Sequence, residues 1–203
     1  MYSFFVNFLM QNFQVVKPIK LFLLFIISSP LLYAQPAGEF IPPKIQLTDS
    51  VFCTEIKDQG QSPTCWVFGT NSLFESDYFK KYNYTINLSE MFIARYAYID
   101  KAKMYLKTKG RTYYKGGGQF HDVIRVVNNY GIVPQEVYRG IPDNGVSHNH
   151  AKLDTAMIRF ARRLLRQGKK VMGVKELKQI NDTLDRYLGK VPATFWYNMN
   201  QFT

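Results

Sequence analysis

The chain has 203 residues, 46% of them hydrophobic and 16% aromatic. That is enough apolar content for one sizeable core, and too much for a chain disordered over most of its length. Its formal net charge of +11 attracts polyanions without specifying one, and says nothing about fold.

The N-terminus reads as a secretory signal. Lys17 and Lys20 precede an apolar run, Leu21–Ile27, which resumes after Ser28-Ser29-Pro30 as Leu31–Ala34. Leu32-Tyr33-Ala34 followed by Gln35 has the small last residue of a cleavage site. The expectation is a signal peptide over residues 1–34, a mature domain over 35–203, and export to a periplasmic or secreted location. An uncleaved anchor is the competing reading, but the run is too short and broken to span a bilayer. Residues 1–16 carry no charge, and a start at Met10 would give a signal of ordinary length. No cysteine stands directly after the apolar run, so a lipoprotein anchor is not expected, and no membrane span is expected after cleavage.

Pro36–Pro43 forms a lead-in to the mature domain. The stretch that organises the rest is Ile56–Gly69, I-K-D-Q-G-Q-S-P-T-C-W-V-F-G. It predicts a helix with Ser62 as N-cap and Pro63 at the first helical position, where a missing N–H costs nothing. Cys65 then falls in the first turn, where free N–H groups and the helix dipole favour a thiolate, the nucleophilic form. Gln59, beside Gly60, sits in a predicted turn from which its amide can fold back toward the helix start. The bland alternative for Cys65 is a small buried hydrophobe. An export signal permits a Cys53–Cys65 disulfide, but pairing would consume the nucleophile. Both are expected free, with Cys53 buried on a strand-like segment.

Cys65–Tyr82 reads as a central helix buried on much of its circumference, with Trp66 and Leu73 on one stripe and Val67, Phe74 and Tyr78 on the next. Ser89 caps a second helix, helped by Glu90 and running to about Lys109 before Gly110. Its inner stripe is Phe92, Tyr96, Ile99 and Leu106. Gly116-Gly117-Gly118 precedes a third helix ending at Tyr130-Gly131. Glycines there allow close backbone approach, but their spacing matches no phosphate loop. His121 reads as a surface or capping residue. Pro134–Asn149 reads as a solvated loop, and His148 and His150 on it make a weak metal-ligand set; no metal and no cofactor are implied. Leu153–Leu165 is an amphipathic helix whose other face carries Lys152, Arg159, Arg162, Arg163 and Arg166. Such faces are mostly solvated, and no specific nucleic acid is called for. Val174–Leu188 is a further helix stopped by Gly189, followed by a tail with exposed aromatics.

Gln59-Gly60 followed by Cys65-Trp66-Val67-Phe68 resembles the active-site segment of the papain-like cysteine peptidases. Leu88-Ser89-Glu90, and the glycine segment running to Tyr130-Gly131-Ile132-Val133, resemble the same family. Ser62 stands where many secreted members have a disulfide cysteine. With the run that follows Glu90, this points to the bleomycin hydrolase and aminopeptidase C branch. The resemblance implies an α+β papain-like fold and a cysteine-type peptidase, aminopeptidase-like, acting on peptides. It implies Cys65 as nucleophile, Gln59 as oxyanion donor, Trp66 as a packing residue at the head of the central helix, and Gly117 and Gly118 as backbone binders of an extended substrate, with Trp66 counted beside them in the substrate-binding set. Complete members tend to form hexameric rings, so a homo-oligomer is implied for them. Their catalytic His and Asn lie in a β-rich domain. The present sequence corresponds to the helical domain, so the expectation is a fragment inactive alone. The alternative is a non-catalytic exported protein of the same fold that binds peptides or polyanions.

The signal reading predicts that N-terminal sequencing of exported protein begins at Gln35. Recovery of chains retaining Lys17–Ala34 would show an anchor instead.

Overall fold

The structure, a computed structural model, describes residues 42–142 and 145–203. The predicted signal segment and its cleavage site lie outside the described residues. The chain divides into two compact units after Thr48. Of the first, residues 42–48 are described and are irregular and exposed. All regular structure among the described residues belongs to the second unit, Asp49–Thr203. It comprises α1 (Cys65–Tyr82), α2 (Glu90–Lys107), α3 (Phe120–Tyr130), α4 (Ala151–Arg166), α5 (Val174–Leu188), β1 (Phe195–Tyr197) and β2 (Asn200–Phe202).

The core is organised around α2, and this corrects the expectation that Cys65–Tyr82 is the central helix. Twelve of the eighteen α2 residues are buried, and α2 packs against α1, α3, α4 and α5. Ala94, Ala97 and Ala102 let neighbours approach closely, while Met91, Ile93, Tyr98 and Leu106 fill the space between them. Ser89 caps α2 as expected. Its Oγ accepts the Phe92 N–H at 3.1 Å and donates to the Tyr138 carbonyl at 2.6 Å, an arrangement worth about 1 kcal/mol. The helix stops at Lys107, two residues early, because Thr108 caps it and both Lys109 and Gly110 take positive φ.

α1 has its expected bounds, but its buried face is mostly polar: Thr70, Asn71, Glu75 and Ser76, with Val67. Leu73 and Tyr78, expected inside, are 49% and 37% exposed. Apolar patterning shows what a helix could bury, not which face its neighbours cover. α4 and α5 follow their sequence patterns closely. Leu153, Met157, Phe160, Ala161 and Leu164 are buried, the five basic residues of α4 are exposed, and Gly189 ends α5 with φ 72°. Buried Arg95 ties α2 to α5 by bonding Asp185 at 2.6 Å and Asn181 at 2.9 Å. The C-terminal tail is an antiparallel ribbon, Phe195 opposite Phe202. Its turn is Asn198-Met199, both with positive φ. Hairpins usually place glycine there, so the sequence carried no turn signal.

Cys53, expected buried on a strand-like segment, is exposed on irregular chain. The strong interaction in this segment belongs to Lys57. Its ammonium bonds Glu75 at 2.8 Å and Glu90 at 2.7 Å and reaches the Leu88 carbonyl at 3.4 Å, using all three donors. Glu75 also accepts from the Thr54 hydroxyl and the Leu88 N–H. Both carboxylates are buried to 1% exposure. Burial raises Glu90 above the usual carboxylate range, and Lys57 pulls it back only in part. A raised carboxyl pKa means that the folded chain binds the proton more tightly than the unfolded chain. Its contribution to stability is therefore greatest in acid and falls as pH rises through the folded pKa.

Lys57→Met leaves two buried carboxyls without their cation and should cost about 3 kcal/mol near pH 7. Urea unfolding should show a smaller loss near pH 4.5, where protonation relieves the unpaired charge. An equal loss at both pH values would show that Lys57 acts by packing alone.

Candidate active site

The loop from Lys57 to Thr64 is held by its own polar groups. Asp58 accepts the Gly60 N–H at 2.7 Å. Gln59 Nε2 donates to the Ser62 carbonyl at 2.9 Å, and Ser62 Oγ donates back to the Gln59 carbonyl at 2.7 Å. The Gln59 amide therefore does fold back toward the helix start, and its second amide N–H takes no part in that bond. The capping expectation is corrected. Thr64 is the N-cap and Cys65 is the first residue of α1, while Ser62 and Pro63 precede it. The reciprocal bond with Gln59 occupies the Ser62 hydroxyl and draws it out of the cap. Cys65 consequently stands two positions nearer the helix end than a Pro63 start would place it, and its N–H is among the four without an intrahelical partner. Cys53 and Cys65 are both free and both exposed.

Trp66 is half-buried and connects α1 to the glycine segment. Its Nε1 donates to the Gly116 carbonyl at 3.0 Å, and Gly118 lies flat on its indole. A Cβ at 118 would meet ring atoms at 2.7 Å, and one at 116 would meet Pro63 at 2.6 Å. Gly117 has open space around it. Two of the three glycines are therefore required by packing, and the third leaves room on the outer side. The segment is pinned further by Lys101, whose ammonium donates to the carbonyls of Lys115 and Gly117 and stands over the Trp66 ring at 5.3 Å. Asp154 accepts both the Gly116 N–H at 2.9 Å and the Tyr98 hydroxyl at 2.7 Å. Burial and Asp154 together keep the Tyr98 phenol far above its ordinary pKa, so it acts as a neutral donor.

The expectation of a solvated loop at His148 and His150 is wrong. They are 9% and 1% exposed. The chain there lies beside the Gln59 loop as a parallel bridge: the Gln61 N–H donates to the His148 carbonyl at 2.8 Å, and the His150 N–H to the Gln61 carbonyl at 3.1 Å. Asn149 Nδ2 adds a bond to Gln61 Oε1 at 2.8 Å. Gly60, with φ 57°, passes so close that a Cβ would lie 2.6 Å from the His148 carbonyl. Burial lowers the pKa of both histidines, His150 to about 4 with help from His148 and against Asp154. Neither ring nitrogen of His150 has a hydrogen-bond partner. Among the described residues no three of His, Cys, Asp and Glu converge as a metal site would need. His121, on the first turn of α3, is exposed and lies 3.7 Å from Asp122.

Sequence reasoning missed Lys101, Asp154 and the Gln61–Asn149 tie. A single pointer existed: three successive glycines at 116–118 need partners that explain each one.

Comparison with known proteins bears on the same segment. The model of the Peptidase C1-like family matches residues 44–200. A cathepsin L-like proteinase of Fasciola hepatica is 40% identical over 50 residues, 25% of this chain and 15% of its own length. A cathepsin L-like peptidase of Aedes aegypti is 30% identical over 64 residues, 32% of this chain and 19% of its own length. PepW from Lactobacillus rhamnosis HN001, solved as the selenomethionine derivative, has 15% identity and a TM-score of 0.49, over 77% of this chain and 42% of that one. The chain thus spans under half the length of any of these relatives. The five helices and one short ribbon of the described residues agree with the helical part of an α+β papain-like fold. With most of its length matched by that family model, the chain belongs to the Peptidase C1-like family.

Proposed function

We propose that this chain is the nucleophile-bearing part of an exported cysteine peptidase of the bleomycin hydrolase and aminopeptidase C type, acting on peptides. The observation that carries the reading is the placement of Cys65. It is exposed, it opens an 18-residue helix, and the Gln59 loop folds back against that helix start. The Cys65 thiolate attacks the scissile carbonyl. The oxygen that becomes negative accepts from the Cys65 N–H and from the second N–H of Gln59. The substrate backbone lies along Gly117 and Gly118, on the open side left at Gly117. Trp66 serves as the wall against which that backbone is set. The amine leaves with a proton, and water then releases the acyl group from sulfur.

This cycle also needs a base for the thiol and an acid for the leaving amine, roles usually filled by histidine. The three histidines of the chain are unsuited. His121 is on the surface beside Asp122, and His148 and His150 are buried, away from the exposed Cys65 sulfur. The described residues therefore supply nucleophile, oxyanion donors and backbone site, and the base belongs to another part of the whole enzyme.

Thiol alkylation tests the nucleophile, with exposed Cys53 as internal reference. Cys65 should react faster, by about tenfold or more near neutral pH; equal rates would remove it from catalysis. In the whole enzyme, Gln59→Ala should lower turnover by about 10²–10³. Robust peptide turnover by the 203-residue chain alone, dependent on His148 or His150, would overturn the assignment of the base elsewhere.

A further inference from the structure

Beside the glycine segment the surface opens into a groove of about 820 Å³ between α2 and α3. Lys101, Met104 and Lys107 line it from α2 and Arg125 from α3, with Tyr113 and Lys170 contributed by loops. Residues three apart on a helix share a face, so the α2 side presents two ammonium groups around a thioether. Five cations line the groove, Lys101, Lys103, Lys107, Arg125 and Lys170, against two acids, Asp100 and Asp122. Both acids are already engaged. Asp100 accepts from the Tyr130 hydroxyl at 2.6 Å and lies 3.5 Å from Lys103 and from Arg125. Asp122 accepts from Arg125 at 2.8 Å and from the Gln119 N–H at 3.0 Å. Among the described residues Lys101, Lys107 and Lys170 have no acidic side chain within ion-pair distance.

We propose that this groove selects acidic side chains in the peptide that lies along Gly117–Gly118. The proposal rests on the peptide-binding reading of those glycines. Lys101 joins the two sites, because it lines the groove and its ammonium bonds the Gly117 carbonyl. Two of its three donors hold the carbonyls of Lys115 and Gly117, and the third is available to a carboxylate. Burial, with Arg125 acting the same way against Asp122 and Asp154, holds Lys101 below the usual lysine range. A cation already withdrawn from water gains more from an arriving anion than a solvated one. Met104 and Tyr113, 48% and 72% exposed, offer apolar surface to the methylenes of a glutamate. The basic face of α4 has comparable charge, but it lies on a single helix and has no such connection to the backbone site. Solvation explains that face adequately.

The test uses the full chain carrying Cys65→Ala and two labelled peptides that differ only in Glu against Gln, with binding read by fluorescence anisotropy. The Glu peptide should bind about tenfold tighter at low salt, a preference that shrinks at high salt. Lys107→Glu with Lys170→Glu should abolish the preference and leave Gln-peptide binding unchanged; circular dichroism confirms the fold. Equal affinity for both peptides in the parent overturns the proposal. So does loss of the preference on removing Arg159, Arg162 and Arg166 of α4, which would assign it to overall charge. Tighter binding of a single-stranded oligonucleotide, weakened by the same Lys107 and Lys170 changes, would overturn it in favour of a polyanion site. Alkylation of Cys65 in the chain that keeps this cysteine separates the two readings. An inert Cys65 with the Glu preference intact supports the groove and removes the peptidase. A reactive Cys65 with no preference does the reverse.

Discussion

Lys57 holds the site in place. One ammonium joins three pieces of chain: the Cys53–Gly60 segment, α1 through Glu75, and the start of α2 through Glu90. Withdrawing these groups from water is costly, and their mutual attraction offsets the cost only because the geometry satisfies nearly every donor and acceptor. One exception remains, the second oxygen of Glu90, which has no partner. That orphaned oxygen fits the raised pKa of Glu90 and marks the cluster as a specifying device more than a source of stability. Its effect is positional. It fixes where the Gln59 loop begins, relative to the helix that carries Cys65.

The other end of that loop is fixed by the bridge to His148–His150, and the site's outer wall by Trp66, Gly116 and Gly118. These ties are all polar or backbone contacts, and they meet at rigid elements: α2 through Lys101 and Tyr98, α4 through Asp154. A reactive group is useful only if it is held within a fraction of an ångström of its working geometry. Here the holding groups lie on two well-buried helices, although the cysteine itself is at the surface. The histidines serve the same end as neutral packing groups, with burial lowering their pKa so that neither carries charge against Gln61 at neutral pH.

Much of this was legible in the sequence. The bounds of α1 and α5, the Ser89 cap, the glycine stop of α5 and the buried stripe of α4 all follow from local propensity and period. So does the fold-back of the Gln59 amide toward the start of α1. What was not legible depends on contacts distant in sequence. Cys53 looked like a strand residue because its neighbours Val51 and Phe52 are apolar, but among the described residues no strand pairs with it. His148 and His150 sat among Gly, Pro and Asn, a composition that reads as solvent-exposed. Their burial comes from Gln61, almost ninety positions away. The Asn198-Met199 turn was invisible because neither position is glycine.

The polarity of α1 resolves its misassignment and gives it a use. In an ordinary amphipathic helix the apolar stripe faces the core and holds the helix there. In α1 the inward stripe is Val67, Thr70, Asn71, Glu75 and Ser76, while Leu73 and Tyr78 face outward. Val67 in the first turn is the one apolar member, and Glu75 at mid-helix and Trp66 against Gly116 add directional bonds. Cys65 on the same turn stays exposed. The helix is thereby fixed from one side, and the sulfur remains accessible from the other. The same arrangement explains why a helix with so much apolar sequence is not the centre of the fold. Its position is set by a few directional bonds, so α2, whose burial is hydrophobic and nearly complete, takes the centre instead.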